Sequence, residues 1–460
     1  MDVSNIDINL IRKYNVQGPR YTSYPTAVQF REANENDVLQ LRYYLLNHNS
    51  YAQRISLYIH IPFCFSLCWY CGCTKIITKD TNRGDLYLNY LEKEMNQILP
   101  LVHPKSKVVQ VHFGGGTPTF LTPEQLHRLG TMIHSRFKLS ERTEFSVEID
   151  PRRCSRDHIE ALADIGCNRA SLGVQDTNED VQQAIHRIQP FEETKKVTGW
   201  LREAGINSIN FDLIYGLPKQ TTDTFHHTME DVLTLSPERL AVYSYAHIPS
   251  LMPAQKLLKI NDMPSTDEKL YMLKSSIDFL TKNDYRFIGM DHFSRRDEEL
   301  SLAADDGSLQ RNFQGYSTLA GADLFAFGMS GISNVGSWYW QNEKDLVRYY
   351  ECLDEGRSPI FKFYSLNRDD FIRQDVIMSI MCKMGIDYNE IAGKWGINFS
   401  TYFNDELARL KELENDGLVI RTNKDIHITE NGRLFLRNIA MCFDYYLNAS
   451  RAAHNYSKTV

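Results

Sequence analysis

The sequence predicts an α/β fold: an incomplete (β/α) barrel, preceded by an N-terminal arm and followed by a mainly helical C-terminal domain. Three observations predict it. From residue 55 onward, short apolar strands alternate with amphipathic helices at spacings of about 30 to 40 residues, which is the signature of a parallel sheet. Polar residues recur at successive strand ends, where barrel chemistry collects. Beyond residue 366 the alternation stops and helical patterns take over. Six or seven strands are too few for an eight-stranded closed barrel, so an incomplete barrel is expected, with an open sheet as the alternative. The expected boundaries are an arm over 1–36, a catalytic domain over 37–365 and a C-terminal domain over 366–460, the last resembling a winged helix.

The arm has no long periodic element. Its densest stretch, Gly18-Pro19-Arg20-Tyr21-Thr22-Ser23-Tyr24-Pro25-Thr26, reads equally as a tied-down surface segment or as a cover over an active site. Leu57 to Ile61 is the first predicted strand. A helix with an apolar face through Leu91 and Met95 follows, and then a second strand over Val108 to Phe113. Thr122-Pro123-Glu124-Gln125 opens a helix as a capping box with proline at its first position. Glu144 to Asp150 is a third strand. Ser155 caps a helix that Gly166 ends. Arg169 to Val174, Ile206 to Tyr215 and Leu240 to Ala246 are further strands, and Arg286 to Met290 is a candidate seventh. In the C-terminal part, helices are expected over Asp370–Cys382, Phe403–Asn415 and Glu430–Leu447, with a β-wing between the last two.

Composition narrows the function. The 460 residues are 42% hydrophobic and 24% charged, with a net charge of −7. That balance describes an ordinary globular protein and argues against a general nucleic-acid or anionic-membrane binder. The C-terminal domain carries many acids and no basic stripe, so DNA binding is not expected of it. No apolar run reaches the roughly 18 residues needed to span a bilayer. Met1 to Asp7 carry early acids and no signal-peptide apolar region, and nine cysteines suit a reducing compartment, so a cytoplasmic protein is expected. No heptads or large apolar stripe are evident, which predicts a monomer.

The cysteines concentrate in one loop after the first strand, Cys64-Phe65-Ser66-Leu67-Cys68-Trp69-Tyr70-Cys71-Gly72-Cys73. Three thiolates at C-x3-C-x2-C suit three irons of a four-iron four-sulfur cubane, which normally takes four cysteines. One iron is then left open to a ligand. A structural zinc site would separate two ligand pairs along the chain, and buried thiols would need no spacing at all. Cys73 is expected beside the cluster and not on it. Cys154, Cys167, Cys352, Cys382 and Cys442 lack metal spacing and read as small buried hydrophobes.

The strand ends supply further candidates. Gly114-Gly115-Gly116-Thr117 allows close approach to the backbone but lacks the spacing of a phosphate loop. Glu148 and Asp212 are acids inside apolar strands and need partners, which are either internal cations or ribose hydroxyls. Tyr58, Gln175 and Ala246 lie on or at the ends of other strands, and Arg187 is placed on the helix after Gln175. Gly289 to Arg296 puts Asp291, His292, Arg295 and Arg296 at a strand end, with Arg311 nearby in sequence. Arginines of this kind recognise carboxylates bidentately.

Taken together, these segments resemble the oxygen-independent coproporphyrinogen III oxidases (dehydrogenases) of bacterial haem synthesis, within the radical S-adenosylmethionine (SAM) superfamily. The resemblance is carried by GPRYTSYPTA from Gly18, the cysteine loop, HFGGGTPT from His112, VEIDPR from Val147 and GVQD from Gly173. DLIYGLPKQT from Asp212, YAH from Tyr245, GMDHF from Gly289, RNFQGY from Arg311 and MCFDYYL from Met441 complete it.

The resemblance implies a TIM-like barrel of the radical SAM type, a 4Fe-4S cluster on Cys64, Cys68 and Cys71, and two SAM molecules. One SAM would touch Tyr58, Tyr70, Gly115, Glu148 and Ile332. The other would touch Gly116, Thr117, Gln175, Arg187, Asp212 and Ala246. It further implies anaerobic conversion of two propionates of coproporphyrinogen III to vinyl groups, giving protoporphyrinogen IX, by a 5′-deoxyadenosyl radical. An electron donor such as flavodoxin or ferredoxin would be needed. The alternative is a haem-binding chaperone of the same superfamily, whose members generally lack the long arm and the Cys71-Gly72-Cys73 feature present here.

Overall fold

The structure, a computed structural model, describes residues 7–48, 51–319, 321–449 and 456–459. Residues 1–6, on which most of the signal-peptide expectation rests, lie outside the described residues. No helix among the described residues is long and apolar enough to cross a membrane.

Seven parallel strands form the centre. They are β1 (Arg54–Ile61), β2 (Lys107–Gly115), β3 (Leu139–Ile149), β4 (Arg169–Gln175), β5 (Ser208–Tyr215), β6 (Arg239–Ser244) and β7 (Asp323–Phe327). The first six pair in chain order, and β7 returns to pair with β1. One cavity is lined by residues from all seven, so the sheet curls around it as an incomplete barrel.

The candidate seventh strand near Arg286 is corrected. Tyr285–Gly289 forms an antiparallel hairpin with His292–Arg295, which pairs antiparallel to β6. The true seventh parallel strand is β7, five residues long and preceded by no long helix. The reversal also corrects the arginine expectation. His292, which opens its strand, faces the barrel cavity, whereas Arg295 ends it at the opposite pole, where its N–H donates to the Glu238 carbonyl. Arg295 and Arg296 are exposed there.

Side chains alternate across a strand with period two. On the outer phase, Leu57, Ile59, Val111, Phe113, Val147, Leu172, Phe211 and Val242 are fully buried against the surrounding helices. The inner phase is polar: Gln110 and His112 on β2, Glu144, Ser146 and Glu148 on β3, Arg169 and Ser171 on β4, Asn210 and Asp212 on β5. At the N-terminal pole these polar groups pair with each other. Gln110 donates to Glu144 at 2.7 Å, Arg169 reaches Glu144 at 3.3 Å, and Arg239 donates to Glu298 at 2.6 Å. The opposite pole is left for chemistry.

Local signals place the helices. Thr122 and Gln125 cap the helix Pro123–Arg136 reciprocally. Ser155 caps Arg156–Asp164 in a box with His158, and Gly166 follows at φ +98°. Beyond β7, Ile332–Val335, Trp338–Asn342 and Ile360–Ser365 extend the sheet antiparallel, and Arg31–Glu32 of the arm adds its edge.

The C-terminal part opens with Arg368–Met378, continues as a π-helical turn over Ser379–Lys383, and carries a three-stranded sheet of Gly385–Asp387, Val419–Arg421 and Asp425–Ile428. The long helix expected over Glu430–Leu447 is broken into a 3-10 turn at Asn431–Phe435 and helices Leu436–Met441 and Tyr445–Ala449. Asp444 interrupts it by turning its carboxylate back onto the Leu447 N–H at 3.0 Å while accepting the Tyr21 hydroxyl at 3.0 Å.

One buried acid fastens the first long helix, Asn82–Ile98, to the β7 side of the sheet. Glu94 accepts the Gly328 N–H at 2.7 Å, the Asn342 amide at 2.6 Å and the Tyr349 hydroxyl at 2.6 Å. Burial still pushes its carboxyl up to about 7. Glu94→Ala strands three buried donors, and the expected cost is about 2–4 kcal/mol, read as a lowered urea midpoint at constant slope. A loss under about 1 kcal/mol would show that water replaces the carboxylate.

Candidate active site

The cysteine loop leaves β1 at Ile61 and crosses the C-terminal pole. A two-stranded ladder, Phe63–Cys64 with Ile76–Ile77, holds its base. Gly116 explains how the loop sits so close. A Cβ there would lie 2.7 Å from the carbonyls of both Pro62 and Phe63. Gly116 N–H donates to the Ile61 carbonyl at 2.8 Å and Thr117 N–H to the Phe63 carbonyl at 2.9 Å. The glycine run therefore serves the loop as well as any ligand.

The three candidate ligands, Cys64, Cys68 and Cys71, are free thiols close enough to perturb one another. Burial pushes Cys64 up to about 12, and the neighbouring sulfurs add to it. Cys71 is drawn down to about 6, chiefly by a hydrogen bond from Cys73, with Lys75 contributing. Two guanidiniums converge on Cys68: Arg152 at 3.4 Å and Arg187 at 3.6 Å from Sγ. Both are fixed by Asp150, which Arg152 reaches at 2.6 Å and Arg187 at 3.3 Å. Burial raises the Asp150 carboxyl, but the Arg187 charge and the Arg152 hydrogen bond outweigh it and hold the group at about 2.

This donor set fits a cubane bound through three thiolates, with cationic donors facing one sulfur and the Cys73 thiol hydrogen-bonded to Cys71. No three His, Cys, Asp or Glu side chains among the described residues converge on a single ion. Ligands spaced around a cubane stand further apart than those of one metal.

Below the loop, a cavity of about 530 Å3 gathers Tyr58, Glu148, Asp212 and Ile332. Tyr58 stacks on His112 at 5.8 Å. Glu148 accepts the Gly115 N–H at 3.0 Å and faces His112 Nε2 at 3.4 Å. Burial raises its carboxyl, yet His112 and the Gly115 N–H bring the net shift below the ordinary range. Asp212 accepts from Ser171 at 2.8 Å and Asn210 at 2.9 Å. With no cation beside it, burial pushes it up to about 6.

The other candidates lie elsewhere. Ala246 lines a second cavity. The Tyr70 ring packs with Val181, Ile185 and Tyr245, and the Tyr70 carbonyl accepts from Gln255 at 3.0 Å. The Thr117 hydroxyl is buried against Thr119. Gln175 ends β4 at φ +68°. Arg187 is neither on the helix, which ends at Ala184, nor on the surface. It is only 6% exposed, donates to the Gly173 carbonyl at 2.6 Å, and keeps its Nε without a protein partner.

Sequence reasoning passed over Arg152, His112 and Asn210. His112 and Asn210 share the inward phase of their strands with Gln110 and Asp212, and that period-two placement was the available signal. Arg152 had none, because a turn delivers it. His292 Nδ1, Gln314 and two nitrogens of Arg311 are also buried without protein partners around this cavity.

Comparison with known proteins agrees with this geometry. Residues 58–232 match the family model for the radical SAM superfamily, and residues 366–435 match the HemN C-terminal domain. The chain is 44% identical to the oxygen-independent coproporphyrinogen III oxidase of Salmonella typhimurium over 99% of this chain and 98% of that protein. The Escherichia coli protein of the same name is 44% identical over the full length of both, and that of Helicobacter pylori 41%. The solved structure of coproporphyrinogen III oxidase (HemN) from Escherichia coli, described as a radical SAM enzyme, superposes with a TM-score of 0.91. It covers 96% of this chain and 99% of that one at 43% identity. The chain belongs to the family of oxygen-independent coproporphyrinogen III oxidases, within the radical SAM superfamily.

Proposed function

We propose that this protein converts two propionate side chains of coproporphyrinogen III to vinyl groups without oxygen, giving protoporphyrinogen IX. The observation that carries the reading is full-length kinship with enzymes of that name, combined with a three-cysteine loop that leaves the end of β1 and reaches the wall of a polar barrel cavity at Thr74. Each propionate would lose carbon dioxide, one hydrogen atom and one electron. When bound, the 4Fe-4S cluster and SAM would supply the radical chemistry that removes hydrogen from each propionate.

The chain's own residues bind, orient and exclude water. Cys64, Cys68 and Cys71 hold the cluster, and Arg152 and Arg187 stabilise the sulfur charge at Cys68. Glu148, already ionised, accepts ribose hydroxyls of one SAM beside Tyr58, Gly115 and Ile332, with Tyr70 at the loop. A second SAM is assigned to Gly116, Thr117, Gln175, Arg187, Asp212 and Ala246. Support for it is a second carboxylate on the inner wall, with few internal partners, and the unpartnered Arg187 Nε. The domain reading, an arm over 1–36, a catalytic unit over 37–365 and a C-terminal unit over 366–460, is supported by the last strand of the main sheet ending at Ser365. An electron donor of the flavodoxin or ferredoxin kind, a monomeric state, no nucleic-acid partner and a cytoplasmic location complete the proposal.

Three outcomes are expected. In an anaerobic assay with cluster-loaded protein, reductant, SAM and coproporphyrinogen III, mass spectrometry should record loss of two carbon dioxide units, with matching 5′-deoxyadenosine. SAM cleavage with unchanged tetrapyrrole would refute the substrate, and tight haem binding with neither reaction would favour the chaperone alternative. Cys68→Ser should lose both iron and turnover, whereas Cys73→Ser should keep wild-type iron content. SAM affinity should fall as pH drops through about 6, because ionised Asp212 accepts hydroxyl donors more strongly than the neutral acid, which turns one oxygen into a donor, and its free carboxyl titrates there. Asp212→Asn should flatten that limb.

A further inference from the structure

A second cavity, of about 340 Å3, lies beyond the C-terminal ends of β5 and β6. It shares a wall with the first cavity, and Ala246, assigned above to the second SAM, lines it. The Arg20 guanidinium lines the second cavity and sits 5.5 Å over the ring of Tyr243, which lines the first. Arm and tail roof it together. Arg437 ties them, donating to the carbonyls of Pro19 at 2.9 Å, Lys458 at 2.6 Å, and Gly18.

The charge here is unbalanced. Arg20, Lys269, Arg437 and Lys458 line the cavity against one carboxylate, Asp291, which Arg20 already engages. Arg437 is saturated by carbonyls. Lys269 and Lys458 are the cations left over, and Lys269 is the half-buried one while Lys458 is exposed. The Lys269 ammonium donates to the Tyr245 carbonyl at 2.8 Å, and no carboxylate among the described residues pairs with it.

The position of Lys269 is built. Gly216 lies under its stem at φ +86°, where a Cβ would stand 2.5 Å from Lys269 Cε and 3.2 Å from Nζ. Any side chain at 216 would displace the ammonium. Burial and the charge of Lys458 lower the Lys269 pKa to about 8, a penalty that an anion beside it would relieve.

Among the described residues, no unpaired lysine or arginine lines the first cavity itself, although Arg311 beside it keeps two nitrogens without a protein partner. The guanidiniums that line it, Arg169 and Arg239, are paired with Glu144 and Glu298. A substrate carrying four carboxylates needs cationic partners for those that do not react.

We propose that the second cavity is a carboxylate subsite, in which Lys269, with Arg20, holds a propionate of the tetrapyrrole that is not reacting. This rests on the substrate reading above. Lys269 is thus a positioning and specificity residue, not a catalytic one. A methionyl carboxylate offers the same chemistry, so the test separates the two.

The test is a binding titration on the full cluster-loaded chain, using coproporphyrin III and its tetramethyl ester as probes, with SAM measured in parallel. Lys269→Gln is expected to weaken coproporphyrin III binding roughly 10- to 100-fold and leave the neutral ester and SAM unchanged. Lys269→Arg is expected to recover most of the loss. Equal weakening of acid and ester would mean a packing role and overturn the proposal, as would unchanged affinity for both. Weakened SAM binding with intact porphyrin binding would assign the site to methionine and overturn the propionate assignment. The substrate reading fails separately, if wild-type enzyme cleaves SAM but leaves coproporphyrinogen III unaltered.

Discussion

A curved parallel sheet with a polar inner face has to satisfy that face. Buried polar groups cost free energy unless they find partners, and the inward side chains on β2 through β5 are predominantly polar. At one pole the solution is internal: Arg169, Arg239, Glu144 and Glu298 neutralise each other and stopper the barrel. At the other pole the side chains are satisfied only in part. Glu148 has a backbone N–H and one histidine, Asp212 a serine and an amide, and His292 and Gln314 keep groups with no protein partner. That residual demand is what a ligand with hydroxyls, amines and a carboxylate can meet. The gradient of satisfaction from one pole to the other is the physical basis of the binding site.

The cysteine loop sits on this half-satisfied pole because glycine lets it. Gly116 admits the Pro62–Phe63 backbone at a distance no side chain would permit, which seats the base of the cysteine loop against the end of β2. Asp150 then does two jobs from the end of β3. It anchors Arg152 and Arg187, and through them sets positive charge against the Cys68 sulfur. A cysteine of the loop, two buried arginines and a strand end are thereby mechanically linked. Substitution of Asp150 would disturb all of them together, which is a reason to treat these residues as one unit and not as separate sites.

The ends of the chain meet over the barrel. Arg437 gathers carbonyls from the arm and the tail, Gln17 pairs with Lys458, and Arg20 pairs with Asp291 on the hairpin beside β6. The arm therefore lies over the second cavity. Tyr21 and Tyr24 bury themselves completely to hold it down.

Much of this was legible in the sequence, and for local reasons. Six of the parallel strands, the Thr122 and Ser155 caps, the cysteine loop and the polar strand ends are set by patterns within a few residues. Period-two alternation, a capping oxygen and ligand spacing act over such distances. The short strand Asp323–Phe327 was not legible, because five residues carry little periodicity and their partner lies more than 260 residues away. The direction of His292–Arg295 was hidden for the same reason, and with it the fact that Arg295 points away from the site. Arg187 looked like a surface helix residue until the fold folded it against Asp150 and Cys68. The sequence by itself determined which groups are available and where along each strand they fall, since backbone geometry dictates that. Only the tertiary structure decided which of them pair off and which stay unsatisfied, because charge compensation across a barrel depends on contacts that no local spacing encodes.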